Sequence, residues 1–347
     1  MIRSFTLENF GPITKMEAKD LGRVNLILAK NSQGKTFILK ALYSILKSHE
    51  EANKGDNNRP YQEELRDKLY WTFQSQIGDL VSKKNINPDN KPLKVTLNTA
   101  DNHTLLFSFG SRTEKEIQIE LNQLEKNESS TIFLPPKEVL SLFDMIKKAE
   151  HEKWFGFDAT YKDLVKALSI PTMKGRNSDI MAQAREQLEK MFEGSISFNA
   201  DKKEWLYKKN RQNFSMHSTA EGVKKIAILD TLLGNRILNS SSVIFIDEPE
   251  SNLHPSAISA FLDIVFSLSK LGMQIFMATH SYFVIKKMYL LAKQNDESIP
   301  VLMFKEMDEE SRWIQENLKD GMPDNGIINE SIRLFEEETD WAMGYGQ

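Results

Sequence analysis

Two short stretches hold the residue types that handle phosphate and divalent metal. In "LILAKNSQGKTFILKAL", Leu26 to Leu42, the trio Gly34, Lys35 and Thr36 stands between an apolar run and a run of helical period. In such a loop, backbone N–H groups and the N-terminus of the following helix point at an anion. Lysine neutralises β- and γ-phosphate charge, and the next hydroxyl reaches Mg²⁺. Asn31, Ser32, Gln33 and Phe37 complete the candidate nucleotide contacts. The pattern G-x-x-x-x-G-K-[ST] puts its first glycine where this chain has Ala29. A methyl group is tolerated there provided the backbone does not need a positive φ.

The second stretch, "SSVIFIDEPESNLHP", runs four apolar residues, Val243 to Ile246, into Asp247 and Glu248. Ligands collect at the carboxyl ends of parallel strands. Asp247 is therefore placed to hold Mg²⁺ through water, and Glu248 to orient or deprotonate an attacking water. An acidic pair after a strand is by itself more often a solvated strand end; the upstream phosphate loop gives this pair its meaning.

These residues need a scaffold of alternating strands and helices. "RVNLILAK" is a short apolar run suited to a buried strand, and Ile38, Leu39, Leu42, Ile45 and Leu46 recur at helical spacing behind the loop. The last third alternates in the same way. A helix from about Glu221 to Leu233 precedes the strand "SVIFIDEP"; a helix opening at Pro255 leads to the strand "QIFMATHS"; another helix leads to the strand "PVLMFKEM". Such alternation predicts a mostly parallel sheet with helices on both faces. Between the two motifs, Ser48 to Lys91 is polar with one helical part around "YQEELRDKLYWTFQSQIGDLVSKK". The runs "LKVTLN", "TLLFSFG", "EIQIEL" and "TIFLPP" then read as antiparallel strands, followed by mixed helices from Lys137 to Glu193 and a hairpin turning at Asn199 to Asp201. The expected organisation is one head, with a core lobe of residues 1–48 and 215–347 and an inserted β/helical arm of residues 49–214.

With 347 residues the chain can bury a substantial core, and a net charge of -4 argues against a surface that coats nucleic acid broadly. Zero cysteines exclude disulfides and thiol chemistry. The six histidines show no H-x-x-x-H or H-E-x-x-H spacing. Trp71, Trp154, Trp205, Trp313 and Trp341 are scattered along the chain, which favours packing over a base-stacking platform. The basic stretches "VSKKNINPDNKPLK" and "YKKNRQ" read first as solvated faces, with a contact to a phosphate backbone as the alternative. No leader-like start or membrane-length apolar segment is present, so the cytoplasm is the expected location and no membrane partner is expected.

"DEPESNLHP", together with "ENFGPI" from Glu8 to Ile13, resembles the ABC-type P-loop ATPases that build SMC heads, RecF and the OLD nucleases. Within them it resembles the stand-alone AAA-type ATPases of bacterial antiphage systems. The resemblance implies a P-loop NTPase of ABC-ATPase type that uses ATP and Mg²⁺, with an antiparallel β-lobe and a short helical insertion. It implies that Thr36 and Asp247 serve the metal, that Glu248 is the catalytic base, and that Ser251 to His254 form the D-loop. His280, after "QIFMAT", matches the switch histidine that touches the γ-phosphate. "HSTAEGVKKIAILDTLL" occupies the place of the signature, where Ser218, Glu221 and Gly222 would bind the γ-phosphate of the opposite subunit. The usual double glycine is replaced by Thr219-Ala220. Ser218 and Glu221 also have the spacing of a helix capping box. The Q-loop position falls on Lys137 or Glu138; a plain helix start at Lys137 is the equal alternative.

By the same resemblance the chain forms a head-to-tail homodimer, or a higher even-numbered oligomer, around ATP. The roughly 180 residues between loop and signature leave no room for long heptad arms. The 67 residues after His280 are too few for an OLD-type nuclease domain. A separate effector protein, a nuclease or toxin, is therefore the expected partner, with DNA a further candidate. A RecF-like ATPase of DNA repair or chromosome maintenance is the alternative.

Overall fold

A computed structural model describes residues 1–30, 32–52, 54–55, 59–82, 91–125, 129–173, 182, 185–186, 188–190, 194–199, 204–210, 212–216, 219, 221–305 and 312–343. Its centre is a six-stranded sheet. The strands are β3 (Val24–Leu28), β7 (Thr131–Leu134), β11 (Val243–Asp247), β12 (Gln274–Thr279), β13 (Pro300–Lys305) and β14 (Arg312–Asn317), in the order β14-β13-β3-β12-β11-β7. All neighbours run parallel except the β13–β14 pair. Every residue of β3, β7, β11 and β12 is buried, which is why apolar side chains dominate both faces of these strands.

Alternation along these strands divides the core in two. Ile27, Phe245, Phe276 and Leu302 face α1 (Lys35–Ala52), which meets them with Ile38, Leu39, Leu42 and Ile45. In register across three strands, Phe133, Phe245 and Phe276 form an aromatic ladder under Tyr43 of α1. Each such contact adds about 1 kcal/mol beyond the area it buries. Leu26, Leu28, Ile244, Ile246, Ile275 and Met277 point the other way, to a core they share chiefly with helices on that face. Among these are α4 (Ala159–Leu168), α5 (Glu221–Gly234), α6 (Pro255–Lys270) and α7 (Tyr282–Asn295).

Over the outer side of α1 lies a five-stranded antiparallel sheet in the order β2-β1-β4-β5-β6. It comprises β1 (Ile2–Phe10), β2 (Ile13–Ala18), β4 (Leu93–Thr99), β5 (Thr104–Phe109) and β6 (Gln118–Asn122). A third sheet orders as β10-β9-β8, from β8 (Ser195–Asn199), β9 (Glu204–Lys209) and β10 (Gln212–Ser215). The β8–β9 pairing agrees with the expected hairpin, whose turn tip lies outside the described residues. Helix α2 (Tyr61–Phe73) packs along α1; α3 (Phe143–His151) packs on α4; α8 (Gly326–Ala342) follows β14. Among the described residues no helix is long and apolar enough to cross a membrane.

The lobes cut across the expected boundary. β1 and β2 belong to the antiparallel sheet rather than the core lobe, and β7, expected as an antiparallel strand of the arm, is the edge of the central sheet, parallel to β11. The burial pattern gives the reason: β1 alternates buried and half-buried residues, suiting a sheet with one wet face, whereas all four residues of "TIFL" are enclosed. The tryptophans also divide. Trp205 packs between Phe143 and Phe198, and Trp313 against Phe304. Trp71 meets Phe155 at 5.6 Å, with the Lys162 ammonium 4.7 Å from its ring. Trp154 and Trp341 are exposed.

Candidate functional site

The site lies where β3, β12 and β11 end side by side. The chain leaves β3 through Ala29, which does not take a positive φ, so its methyl group carries no strain. Ser32 (φ +66°) and Gly34 (φ +99°) curl the loop into α1. A side chain at Gly34 would strain that φ, and its Cβ would stand only 2.9 Å from the Pro12 ring. The Gln33 carboxamide accepts the Lys30 N–H at 2.7 Å and ties the loop to itself. Pro12 belongs to the β1–β2 turn, where a Cβ on Gly11 (φ +54°) would run into the Phe37 ring. The Phe37 ring is occupied by that turn and by Phe10 and Phe73, at 5.2 and 4.5 Å between centroids. Asn31 lies outside the described residues.

Lys35 is buried, and its ammonium donates to the Ala29 carbonyl at 2.5 Å and the Lys30 carbonyl at 3.0 Å. Burial lowers its pKa, opposed by the charges of Glu248, Asp247 and Glu250. The Thr36 hydroxyl donates to Asp247 Oδ2 at 2.8 Å, joining the loop to the end of β11. Asp247 is 2 % exposed, and its other oxygen, Oδ1, is buried without a hydrogen-bond partner. Burial pushes its carboxyl up to about 6, against the Thr36 hydrogen bond and with the Glu248 charge adding to the rise.

An orphaned carboxylate oxygen beside a threonine hydroxyl suits a hard cation. Among the described residues no group of three or more His, Cys, Asp or Glu side chains could hold a metal alone. A metal at Thr36 and Asp247 must then bring most of its oxygens with it, as Mg²⁺ does with water and phosphate.

Glu248 takes φ +48°, a left-handed turn that costs a non-glycine residue on the order of 1 kcal/mol. Three contacts hold the turn: Glu248 N–H donates to the Ala278 carbonyl at 2.9 Å, and Lys225 of α5 donates to the Glu248 and Pro249 carbonyls at 3.2 and 3.1 Å. The turn aims the Glu248 side chain into an open groove lined by Ser32, Gly34, Lys35, Thr36 and Lys40. Its Oε2 accepts the Ser251 hydroxyl at 2.9 Å, and its Oε1 lies 3.5 Å from Nδ1 of His280. The next acid, Glu250, reaches the same imidazole. Sequence reasoning passed over Glu250 and Lys225. "DEPE" shows three acids, but the partners of the third come from the neighbouring strand.

Other predicted residues fall as follows. His254 caps α6, its Nδ1 accepting the Ser256 N–H at 3.3 Å, and Pro255 opens the helix. A Cβ built on Gly222 would meet Ala257 and Leu253 of its own chain at 3.3 and 3.6 Å. Ser218 and the Glu221 side chain lie outside the described residues. Glu138 spends both oxygens on its own turn, accepting the Leu140 and Ser141 N–H groups at 2.6 and 2.8 Å. Lys137 lies beside Asp247 in a small cavity under the end of β7, and no helix starts at Lys137: the first after β7 begins at Phe143. Pro135 and Pro136 end β7, and the chain bends at Pro136 and Lys137.

The family described as "AAA domain, putative AbiEii toxin, Type IV TA system" matches residues 30–286, a span that holds the phosphate loop, the acidic strand and His280. The chain belongs to this AAA family. Its AAA domain has the fold of SMC heads. The SMC head bound to the C-winged helix domain of ScpA superposes with a TM-score of 0.57 at 13% identity, covering 92% of this chain and 98% of that one. The SMC head domain from Thermotoga maritima gives 0.51 at 12% identity, covering 91% and 98%. The Old nuclease of Escherichia phage P2 is 50% identical over 42 residues, which span 12% of this chain and 7% of the nuclease. The expected SMC-like head fold, with its mostly parallel core sheet and antiparallel β-lobe, is thus the fold of this AAA domain.

Proposed function

We propose that this AAA domain is a Mg²⁺-dependent ATPase whose copies close head to tail on ATP and thereby switch a separate effector, a nuclease or toxin, in antiphage defence. The observation that carries the ATPase reading is the union of Thr36 and Asp247 at 2.8 Å, with Glu248 and His280 on the same rim.

The loop N–H groups and the α1 N-terminus receive the phosphates, and Lys35 supplies positive charge from within the loop. Thr36 and Asp247 would hold Mg²⁺, which when bound neutralises phosphate charge. Glu248 takes a proton from water as the water oxygen adds to the γ-phosphorus and the bond to the bridging oxygen of ADP breaks. Ser251 steadies one oxygen of that carboxylate, Oε2, and His280 stands 3.5 Å from the other.

One copy presents the loop; the signature candidates Ser218, Glu221 and Gly222 would come from the second. The type IV toxin system in the family description and the phage nuclease match support the defence setting. Light scattering of the Glu248→Gln protein tests the switch. Dimers appearing only with ATP and Mg²⁺ are expected, and an unchanged mass overturns it. A RecF-like role would instead show as DNA-stimulated turnover by the chain alone.

A further inference from the structure

We propose that Glu250 is a positioning residue that holds the Nδ1 edge of His280 and so leaves an oxygen of Glu248 free for water. The inference rests on the reading of Glu248 and His280 given above.

Glutamate is rarely enclosed without a partner, yet the Glu250 side chain is 11 % exposed. Its Oε1 accepts the Thr279 hydroxyl at 2.8 Å and the His280 N–H at 3.1 Å, so it binds the end of β12 to the turn after β11. Its Oε2 is buried with no partner. A strand tie alone would be served by a neutral amide; a carboxylate adds its charge and a second acceptor, and of the two groups that charge acts on, Lys35 and His280, the imidazole is the one that approaches it, at 3.5 Å.

His280 Nδ1 lies 3.5 Å from Glu250 Oε1 and 3.5 Å from Glu248 Oε1. An imidazole N–H points in one direction in the ring plane and satisfies one acceptor well. When Glu250 takes it, Glu248 keeps Oε1 open while Ser251 steadies Oε2. Without the Glu250 charge, Nδ1–H falls to Glu248, and both oxygens of the base are occupied.

The test is a double-mutant cycle of Glu250→Gln with His280→Gln. The amide retains an acceptor for Thr279 and the His280 N–H, so the turn survives. Glu250→Gln should lower kcat by about 10-fold or more, part of what a placed base contributes, with KM for ATP nearly unchanged. In the His280→Gln background the same substitution should have no further effect. Independent effects in the cycle, or wild-type kcat in Glu250→Gln, overturn the proposal. A second readout needs no turnover: the imidazole nitrogen resonances of His280 in nucleotide-free protein should shift in Glu250→Gln. Unshifted resonances overturn the proposal even if the protein proves not to hydrolyse ATP. Normal turnover by Glu248→Gln, in contrast, overturns the reading of the base and not the Glu250–His280 contact.

Discussion

Replacing Asp247 by Asn should make the nucleotide-free protein more stable. Burial lifts this carboxyl from 3.8 to about 6. At about 1.4 kcal/mol per pH unit, its ionised form therefore burdens the folded state by about 3 kcal/mol above pH 6. The sign follows from the direction of the shift. The folded protein binds this proton more tightly than the unfolded chain, so the burden is fully present above the folded value. It is relieved as pH falls through about 6 towards 3.8. Asparagine keeps an acceptor for Thr36 and removes both the buried charge and its repulsion with Glu248. Urea unfolding without Mg²⁺ should show the variant ahead by up to about 3 kcal/mol at pH 8, with the gap nearly closed at pH 4. Added Mg²⁺ with nucleotide should stabilise the wild type and leave the variant almost unmoved. A variant less stable than wild type at pH 8, or a gap that does not change with pH, would show that no such burden exists.

Other outcomes follow from the same geometry. Gly34→Ala should weaken nucleotide binding at least about 10-fold in a fluorescence titration, because alanine strains φ +99° and presses on Pro12; unchanged affinity would contradict this. Asp163→Ala should cost about 3 kcal/mol in urea unfolding, since Lys68 is buried and loses a 2.7 Å partner while Tyr43 loses its 2.6 Å acceptor. Pairing Asp163→Leu with Lys68→Met should recover most of that loss, and no recovery would point away from the charge pair. Lys35→Ala should abolish nucleotide binding in the same titration, and retained binding would mean that this loop does not hold the phosphates.

The parts of the fold legible in sequence are those whose signal is local. β3, β11 and β12 announce themselves as unbroken apolar runs, and the residues that end them, Lys35, Thr36, Asp247, Glu248 and His280, follow by adjacency. β7 was not legible, because three apolar residues after three alternating runs say nothing about which strand they will pair with; that depends on Val243 to Ile246, more than a hundred residues away. For the same reason β1 and β2 read as part of the core that follows them, though β1 pairs with β4 and β2 with β1. Glu250 and Lys225 were hidden differently. Their residue types are unremarkable in sequence, and only the side-by-side ends of β11 and β12, with α5 packed behind, show what they hold. Trp71 and Phe155 meet through α2 and the loop before α4, a contact no periodicity encodes.

If the loop and the acidic strand form one ATP-hydrolysing site with Glu248 as its base, removing the base must separate binding from chemistry. Single-turnover measurement of bound ATP in the Glu248→Gln protein reads both. ATP should stay bound with near wild-type affinity while its conversion to ADP and phosphate slows at least about 100-fold. Conversion at the wild-type rate would contradict the assignment of the base.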